Sequence, residues 1–166
     1  MEACLISVAD MNSAEEVMAL INEAYSYELD HFKKYQRLMH KFDCGMLESY
    51  QSKQVSVIRD SSGIIIGVVV WKLIENSENE KSLYFGPIAV LPSFQGRGIG
   101  RRLLQYIYKI AADLSVSSIS IKVINHKTDL VEFYQKLGYE IVGSSEYPFP
   151  DRLSKPSFFY DMKKNL

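Results

Sequence analysis

The chain has 166 residues, a formal net charge of −1 at pH 7 and a hydrophobic fraction of 47%. This length favours one domain, residues 1–166, and the near-neutral charge removes any global attraction to nucleic acid or to an anionic membrane. Two cysteines without a CxxC pair, together with apolar runs too short to span a bilayer, argue against a zinc site, a disulfide framework or a membrane protein and favour a cytoplasmic location.

The N-terminal third predicts one strand followed by helices. "ACLISVA" is typical of a short strand, and Ser13 followed by Glu16 has the spacing of a capping box at the start of a helix. Apolar residues then recur at helical spacing as far as Tyr25. Residues 30–50 mix charges with aromatics, which predicts a second helix that is interrupted near Gly45.

The next segment predicts a meander of three strands. "QVSVIRD" and "IIIGVVVWKLI" flank a turn and are rich in β-branched residues, and "SLYFGPIAV" follows after a polar turn. Because Pro87 has no amide hydrogen for a ladder, we expect a bulge or a local splay in this third strand of the meander.

The C-terminal half alternates helices with strands. "SSISIKVIN" has one apolar face, and "YEIVGS" and "SFFYDMKK" predict two closing strands. Gly138 stands where a helix C-cap glycine is expected. Two apolar stripes predict helices: Ile99, Leu103, Ile107, Ile110 and Leu114, and then Leu130, Phe133, Tyr134 and Leu137. The fold class is therefore α+β, with a mostly antiparallel sheet that contains one parallel, right-handed strand–helix–strand unit.

The loop "QGRGIG", residues 95–100, joins the meander to the first of these helices. Its glycines allow backbone amides to approach a ligand, and the helix N-terminus carries a partial positive charge. With Arg97, Arg101 and Arg102 beside them, these features predict an anion site that suits a diphosphate. A Rossmann fingerprint and a P-loop do not fit, because Arg101 takes the place of the third fingerprint glycine and no Lys-Ser/Thr pair follows.

This hexamer resembles the pyrophosphate loop, Gln/Arg-x-x-Gly-x-Gly/Ala, of the GNAT superfamily of acetyltransferases. "IAVLPSFQGRGIGRRLL" is similar to the family's fourth strand, loop and following helix, and "LVEFYQKLGYEIVG" is similar to its next conserved block. The order of elements matches over nearly the whole chain. The resemblance implies a mixed, mostly antiparallel twisted sheet of about seven strands, flanked by about four helices and splayed between strands four and five.

The resemblance also implies acetyl-CoA as cosubstrate, no metal, and direct attack of a primary amine on the acetyl group. It places the pantetheine arm in the splay along Ile88, Ala89 and Val90, with the Val90 amide as a candidate oxyanion donor. The residues implied for the pyrophosphate are Gln95, Gly96, Arg97, Gly98, Ile99, Gly100 and Arg101.

Two further residues have competing interpretations. Asn125 matches a family position that contacts the pantetheine arm, but it also suits a helix cap. Tyr134 matches the family tyrosine that protonates the departing thiolate, and we prefer this role to that of a core aromatic.

The general base is not assigned. Many relatives carry a carboxylate on strand four, whereas here Tyr84 is the only titratable residue within that strand. The N-terminal helical region offers other candidates, none of them favoured: Glu28, His31, His40, Asp43 and Glu48.

The resemblance places the acceptor cleft between this helical region and the late "PFPDRLSKP" loop. Aromatic residues occur in both and suit a cationic amine: Tyr25, Tyr27, Phe32, Tyr35, Tyr147 and Phe149. We expect a small-molecule amine ahead of a protein amino group, and a homodimer is the candidate assembly. A non-catalytic acyl-CoA-binding module and a binder of another phosphate ligand are the competing hypotheses.

Overall fold

A seven-stranded mixed sheet forms the centre of the computed structural model, which describes residues 5–26, 44–148 and 150–166. The strand order is β1-β2-β3-β4-β5-β7-β6. The strands are β1 (Ile6–Val8), β2 (Val55–Arg59), β3 (Ile65–Glu75), β4 (Lys81–Val90), β5 (Ser118–Ile124), β6 (Glu140–Glu146) and β7 (Phe158–Asn165). The helices are α1 (Ala14–Ala24), α2 (Cys44–Gln51), α3 (Ile99–Asp113) and α4 (Thr128–Lys136). Every neighbouring pair of strands is antiparallel except β4 and β5, which are parallel and are connected through α3. The predicted α+β fold is confirmed.

The sheet packs a core on each face. Because successive side chains of a strand point to opposite faces, Ile119, Ile121 and Val123 lie together on one face, against Leu103 and Ile107 of α3. The other face of the sheet packs against α1 and α2; its buried side chains include Val17, Ile21, Met46, Val57 and Val68. The predicted alternation of β5 is confirmed, and so is the apolar face of α3 at Ile99, Leu103 and Ile107. Leu114, the last residue of the predicted face, lies beyond the helix and is exposed.

Strand β4 separates from β5 after only three residue pairs. Ser82, Leu83 and Tyr84 pair with β5, whereas β5 continues alone beside β7 as far as Ile124. The remaining half of β4 therefore has no strand on its β5 side, which confirms the expected splay.

A bulge in β4 coincides with this separation. Phe85 pairs with Trp71 and Ile88 pairs with Val69, so Gly86 and Pro87 together face the single residue between them on β3. The extra residue shifts the alternation of side chains. Phe85 therefore belongs to the core under α3, whereas Ala89 belongs to the core under α1.

The predicted capping box at the start of α1 is wrong. A short 3₁₀ turn, Met11–Ser13, precedes the helix, and there the Ser13 N–H donates to Asp10 Oδ1 at 3.1 Å. Glu16 instead accepts the Ile65 N–H through Oε1 at 2.7 Å and pairs with Arg59 through Oε2 at 3.3 Å. Its carboxylate thus joins α1 to β2 and β3 and does not cap its own helix.

One helical expectation is corrected in detail. On α4, Val131 and Tyr134 are buried while Leu130 and Phe133 are exposed, so the buried stripe is narrower than the sequence suggested. Of the predicted second helix, the structure describes α2, Cys44–Gln51, which includes Gly45; the earlier part of that prediction lies outside the described residues. Gly138 has φ +88° directly after α4, as expected of a C-cap glycine.

Candidate active site

The glycine loop before α3 has a backbone that only glycine adopts easily. Gly96 and Gly98 have φ values of +75° and +79°, in the left-handed region. A Cβ added at either position would meet no atom within 4 Å. The surface above both glycines is therefore open, so a ligand can lie directly on the main chain.

The N-terminus of α3 opens onto the same surface. Gly98 is the N-cap, and the Arg102 N–H makes the first bond of the helix, to the Gly98 carbonyl at 3.1 Å. The amides of Ile99, Gly100 and Arg101 belong to the first turn, in which N–H groups lack an intrahelical acceptor. No acidic residue lies in that turn. These amides and the helix dipole can therefore bind an anion.

The three arginines of this segment differ in their surroundings. Arg97 is exposed, and its guanidinium carbon lies 4.9 Å from the centre of the Phe94 ring. Arg101 is also exposed, whereas Arg102 is half-buried on α3. Two exposed cations thus flank the amide-lined surface, close enough in sequence to supply charge to a bound diphosphate.

The unpaired half of β4 directs alternate backbone groups into the gap beside β5. The Leu91 N–H donates to the Ile66 carbonyl at 3.0 Å, so the alternation of an antiparallel ladder assigns the groups of Ala89 to β3 as well. The N–H and C=O groups of Ile88 and Val90 consequently face the gap. An extended polar chain placed there could bond to them as an additional strand does.

Side chains already occupy the carbonyls of these two residues. The Tyr25 hydroxyl donates to the Ile88 carbonyl at 3.1 Å, and Gln95 Nε2 donates to the Val90 carbonyl at 3.1 Å. The bond from Tyr25 was not predicted, because nothing in the sequence places the end of α1 beside β4. In the described part of the chain, the Ile88 and Val90 N–H groups remain directed at the gap without an acceptor.

Tyr134 lies on the α3 side of the same gap. Its ring is 5% exposed and is surrounded by the rings of Phe85, Phe133 and Tyr139, with centroids 5.3–6.2 Å away. Burial raises the pKa of Tyr134 well above the ordinary tyrosine value. The phenol is therefore neutral near pH 7.

Asn125 connects the ends of two strands. Its N–H donates to the Phe158 carbonyl at 2.9 Å, and its Oδ1 accepts the Phe158 N–H at 3.1 Å. The N-cap of α4 is Lys127, so Asn125 is not the helix cap considered above.

Tyr84 lies on the opposite sheet face from Tyr134, at the point where β4 and β5 separate. Its hydroxyl is 3.1 Å from the position that a Cβ on Gly86 would take, so it points along β4 toward the bulge. Burial, and next the charge of Asp161, raise the pKa of Tyr84. Near pH 7 this residue offers a neutral hydroxyl and not a phenolate.

A polar cluster on the same face escaped the sequence analysis. Lys122 Nζ lies 2.6 Å from both Asp161 Oδ1 and Ser145 Oγ, and Ser145 Oγ donates to Asp161 Oδ1 at 2.9 Å. Alternation along β5 turns Lys122 away from the apolar core. Its partners, however, depend on the pairing of β5 with β7 and of β7 with β6, which single-strand patterns do not give.

The late loop lines an open pocket of about 480 Å³, formed by residues 146–147, 150 and 153–157. The Tyr147 ring lies 5.4 Å from the Phe159 ring at the start of β7. Phe149 lies outside the described residues, as do Glu28, His31, His40 and Asp43; Glu48 is exposed on α2.

The described ranges contain neither a metal-binding group of side chains nor a membrane-spanning helix. No three His, Cys, Asp or Glu side chains of residues 5–26, 44–148 and 150–166 are arranged to hold a metal ion. Over the same ranges, no helix combines the length and the apolar character needed to cross a bilayer.

Comparison with known proteins agrees with this architecture. The chain is 31% identical over 107 residues to the probable N-acetyltransferase san of Drosophila melanogaster, which covers 64% of this chain and 56% of the relative. It is 23% identical over 83 residues to the thialysine N-epsilon-acetyltransferase of Mus musculus, covering 50% of this chain and 49% of the relative. The aligned segments thus span only about half the length of these relatives.

The fold is similar to that of Arabidopsis thaliana Naa50, solved in complex with the bisubstrate analogue CoA-Ac-MVNAL. The TM-score is 0.76 at 15% identity, with 98% of both chains covered. The model of the acetyltransferase (GNAT) family matches residues 14–139, which is most of the chain. Together with the splayed sheet and the glycine loop, this match shows that the chain belongs to the acetyltransferase (GNAT) family.

Proposed function

We propose that the protein transfers an acetyl group from acetyl-CoA to a primary amine. The observation that carries this proposal is the continuity of two features, the amide-lined loop before α3 and the gap beside the second half of β4. The first suits a diphosphate and the second suits an extended amide-containing chain. Coenzyme A contains both groups in one molecule.

In this proposal the loop binds the pyrophosphate through the amides of residues 96–101, with Arg97 and Arg101 supplying charge. The Ile88 N–H binds the pantetheine arm, and the Val90 N–H faces the thioester end of that arm. The open space above Gly96 and Gly98 supports the fit, because a Cβ there would stand where the phosphates approach. Asn125, at the end of β5, borders the same gap and is proposed as a further contact of the arm.

The chemistry has three requirements that this chain can meet. The amine attacks as a neutral lone pair, so a C–N bond forms as the C–S bond of the thioester breaks. The Val90 N–H is proposed to stabilise the oxyanion. Tyr134, kept protonated by burial, is proposed to donate its proton to the thiolate that leaves.

Tyr84 is the β4 residue available on the acceptor side. Because burial raises its pKa, we propose that its neutral hydroxyl orients the incoming amine by a hydrogen bond, with the amine proton leaving through solvent. No carboxylate on β4 performs this step.

A small-molecule amine remains our first proposal for the acceptor. The similarity to a thialysine N-epsilon-acetyltransferase supports it, since that name denotes a small amine. A protein or peptide amino group is the second candidate, supported by the fold shared with Naa50 bound to a bisubstrate analogue. A single domain, a cytoplasmic location and a homodimer also remain proposals, which gel filtration and cell fractionation can test.

The experiment follows thiol release from acetyl-CoA with a panel of small amines and short peptides. We expect release that depends on the amine, and displacement of bound acetyl-CoA by CoA but not by nucleotides. Tight binding of CoA without turnover on any amine would favour a non-catalytic acyl-CoA module. Displacement by nucleotides would favour a different phosphate ligand.

A further inference from the structure

Lys122, Asp161 and Ser145 form a fixed polar group across three adjacent strands. Lys122 and Asp161 are directly opposite each other in the β5–β7 ladder. The ammonium donates to Asp161 and to Ser145, and the Ser145 hydroxyl donates to the same carboxylate oxygen. Each member thus limits the rotation of the other two, and Lys122 is held in one place although its side chain is 42% exposed.

This group stands beside the point where the sheet opens. Tyr84 is the last β4 residue that pairs with β5, and its partner is Ser120. Lys122 follows two positions later, so it is the first β5 side chain on the Tyr84 face beyond that point. The charge of Asp161 acts on the Tyr84 phenol, which places the cluster and this hydroxyl in one electrostatic environment.

The ammonium has a donor left for a ligand. Of its three N–H groups, two have acceptors among the residues that the structure describes, Asp161 and Ser145. The third has no acceptor among the described residues and is available to a ligand that lies on this face of the sheet. Since Asp161 balances the charge of Lys122, the pair is neutral overall and suits a neutral oxygen acceptor better than an isolated lysine would.

We propose that Lys122 donates a hydrogen bond to the carbonyl oxygen next to the α-amino group of the acceptor. This selects amino-acyl amines, either amino-acid amides or peptide N-termini, over amines without such an oxygen. Ser145 and Asp161 act as positioning residues for Lys122. The inference rests on the proposed acetyl transfer and adds the acceptor class to it.

The test compares acceptors that share a side chain and differ in whether they carry the carbonyl group. Because the carbonyl also lowers the pKa of the amine, the decisive quantity is the change in preference between the wild type and Lys122→Met. For each of several side chains, kcat/KM is measured for the amino-acid amide, for a dipeptide that begins with that residue, and for the decarboxylated amine. The wild type is expected to prefer the two carbonyl-containing acceptors, and Lys122→Met to reduce that preference about tenfold or more, mainly through KM. Lys109→Met is the control, because Lys109 pairs with Asp113 at 2.8 Å on α3, away from the splay.

The outcomes separate this inference from the proposed function. Amine-dependent thiol release with an unchanged preference in Lys122→Met, or a wild type that prefers the decarboxylated amines, overturns the inference alone. A wild type that acetylates no amine overturns both. If Lys122→Met fails to fold, judged by circular dichroism and CoA affinity, Ser145→Ala must reduce the preference in the same direction. The dipeptide and the amide then distinguish a peptide from a small-molecule source.

Discussion

Gly96 and Gly98 each combine a left-handed backbone with open space above the Cα atom. Gly63, in the turn between β2 and β3, shares both properties, with φ +85° and no neighbour within 4 Å of an added Cβ. The three glycines are therefore alike in conformational cost and differ in location. A substitution at Gly63 therefore measures the cost of backbone strain alone, whereas the same substitution at Gly98 also measures the exclusion of a ligand from the loop.

Gly98→Ala is expected to weaken CoA binding by at least about tenfold, since the new methyl group occupies the approach to the amides. Both Gly98→Ala and the control Gly63→Ala should lose about 1 kcal/mol of unfolding free energy from the positive φ. Titration calorimetry and urea unfolding measure the two effects. Equal CoA affinities in the two variants would contradict the assignment of the loop.

Tyr134 and Tyr139 are in contact, so phenylalanine substitutions at the two positions can be compared to test the acid role of Tyr134. Tyr134→Phe keeps the ring in its aromatic surroundings but removes the proton, so turnover is expected to fall about 10²-fold with little change in CoA affinity. The buried Tyr139 hydroxyl lies beside the Tyr108 hydroxyl and has no part in the proposed reaction. Tyr139→Phe should therefore leave turnover unchanged. Steady-state kinetics of both variants decide the matter, and a similar loss in each would make Tyr134 a packing residue.

At the scale of the elements, different parts of β4 have different structural roles. Its first residues complete the sheet, its bulge turns side chains to the other core, and its second half offers backbone groups to the gap. Pro87 predicted the irregularity, and the glycine loop predicted the open, amide-lined surface that follows. The register of β5 with β7 was not predictable, because it depends on pairing between distant strands, and so Lys122 was missed.

Amide exchange along β4 provides a direct test. The Ala89 N–H bonds to β3 and should exchange slowly in the free protein, whereas the Ile88 and Val90 amides should exchange faster. Bound CoA should slow exchange at Ile88 and Val90 and leave Ala89 nearly unchanged. Residue-resolved exchange by NMR measures this, and an unchanged pattern on binding would remove the pantetheine arm from the gap.

At the scale of the whole molecule, the burial of several tyrosines makes the free energy of unfolding decrease as the pH rises above 10. Burial raises the pKa of Tyr134 and Tyr139 above the value of about 10 expected in the unfolded chain. Below that pH both states keep these protons, so their contribution is constant. Above it only the unfolded chain releases them, and stability falls as pH rises.

The contribution of one residue is measurable by difference. Each such tyrosine should lower the unfolding free energy by about 1.4 kcal/mol per pH unit above 10. Tyr139→Phe should therefore lose less stability than the wild type between pH 9 and pH 11, by about that amount. Urea unfolding at the two pH values tests this, and parallel losses would show that Tyr139 does not titrate on unfolding.

The sequence was sufficient for the order of elements because periodicity, β-branched runs and glycine positions are local signals. It failed at Ser13 and Glu16, where the capping-box spacing is present but Asp10 and Ile65 supply the actual partners. It also failed to pair Lys122 with Asp161. Both failures concern hydrogen bonds whose partners are set by packing and not by spacing along the chain.

Because β4 and β5 pair over only three residues, the sheet consists of two parts that are joined by few hydrogen bonds. On one side lie β1 to β4, and on the other lie β5, β7 and β6. A ligand bound between the two parts would make contacts with both of them, in a region where β4 and β5 do not pair with each other. Binding of the acyl donor would then raise the free energy of unfolding, so the melting temperature of the protein would increase with the concentration of that donor.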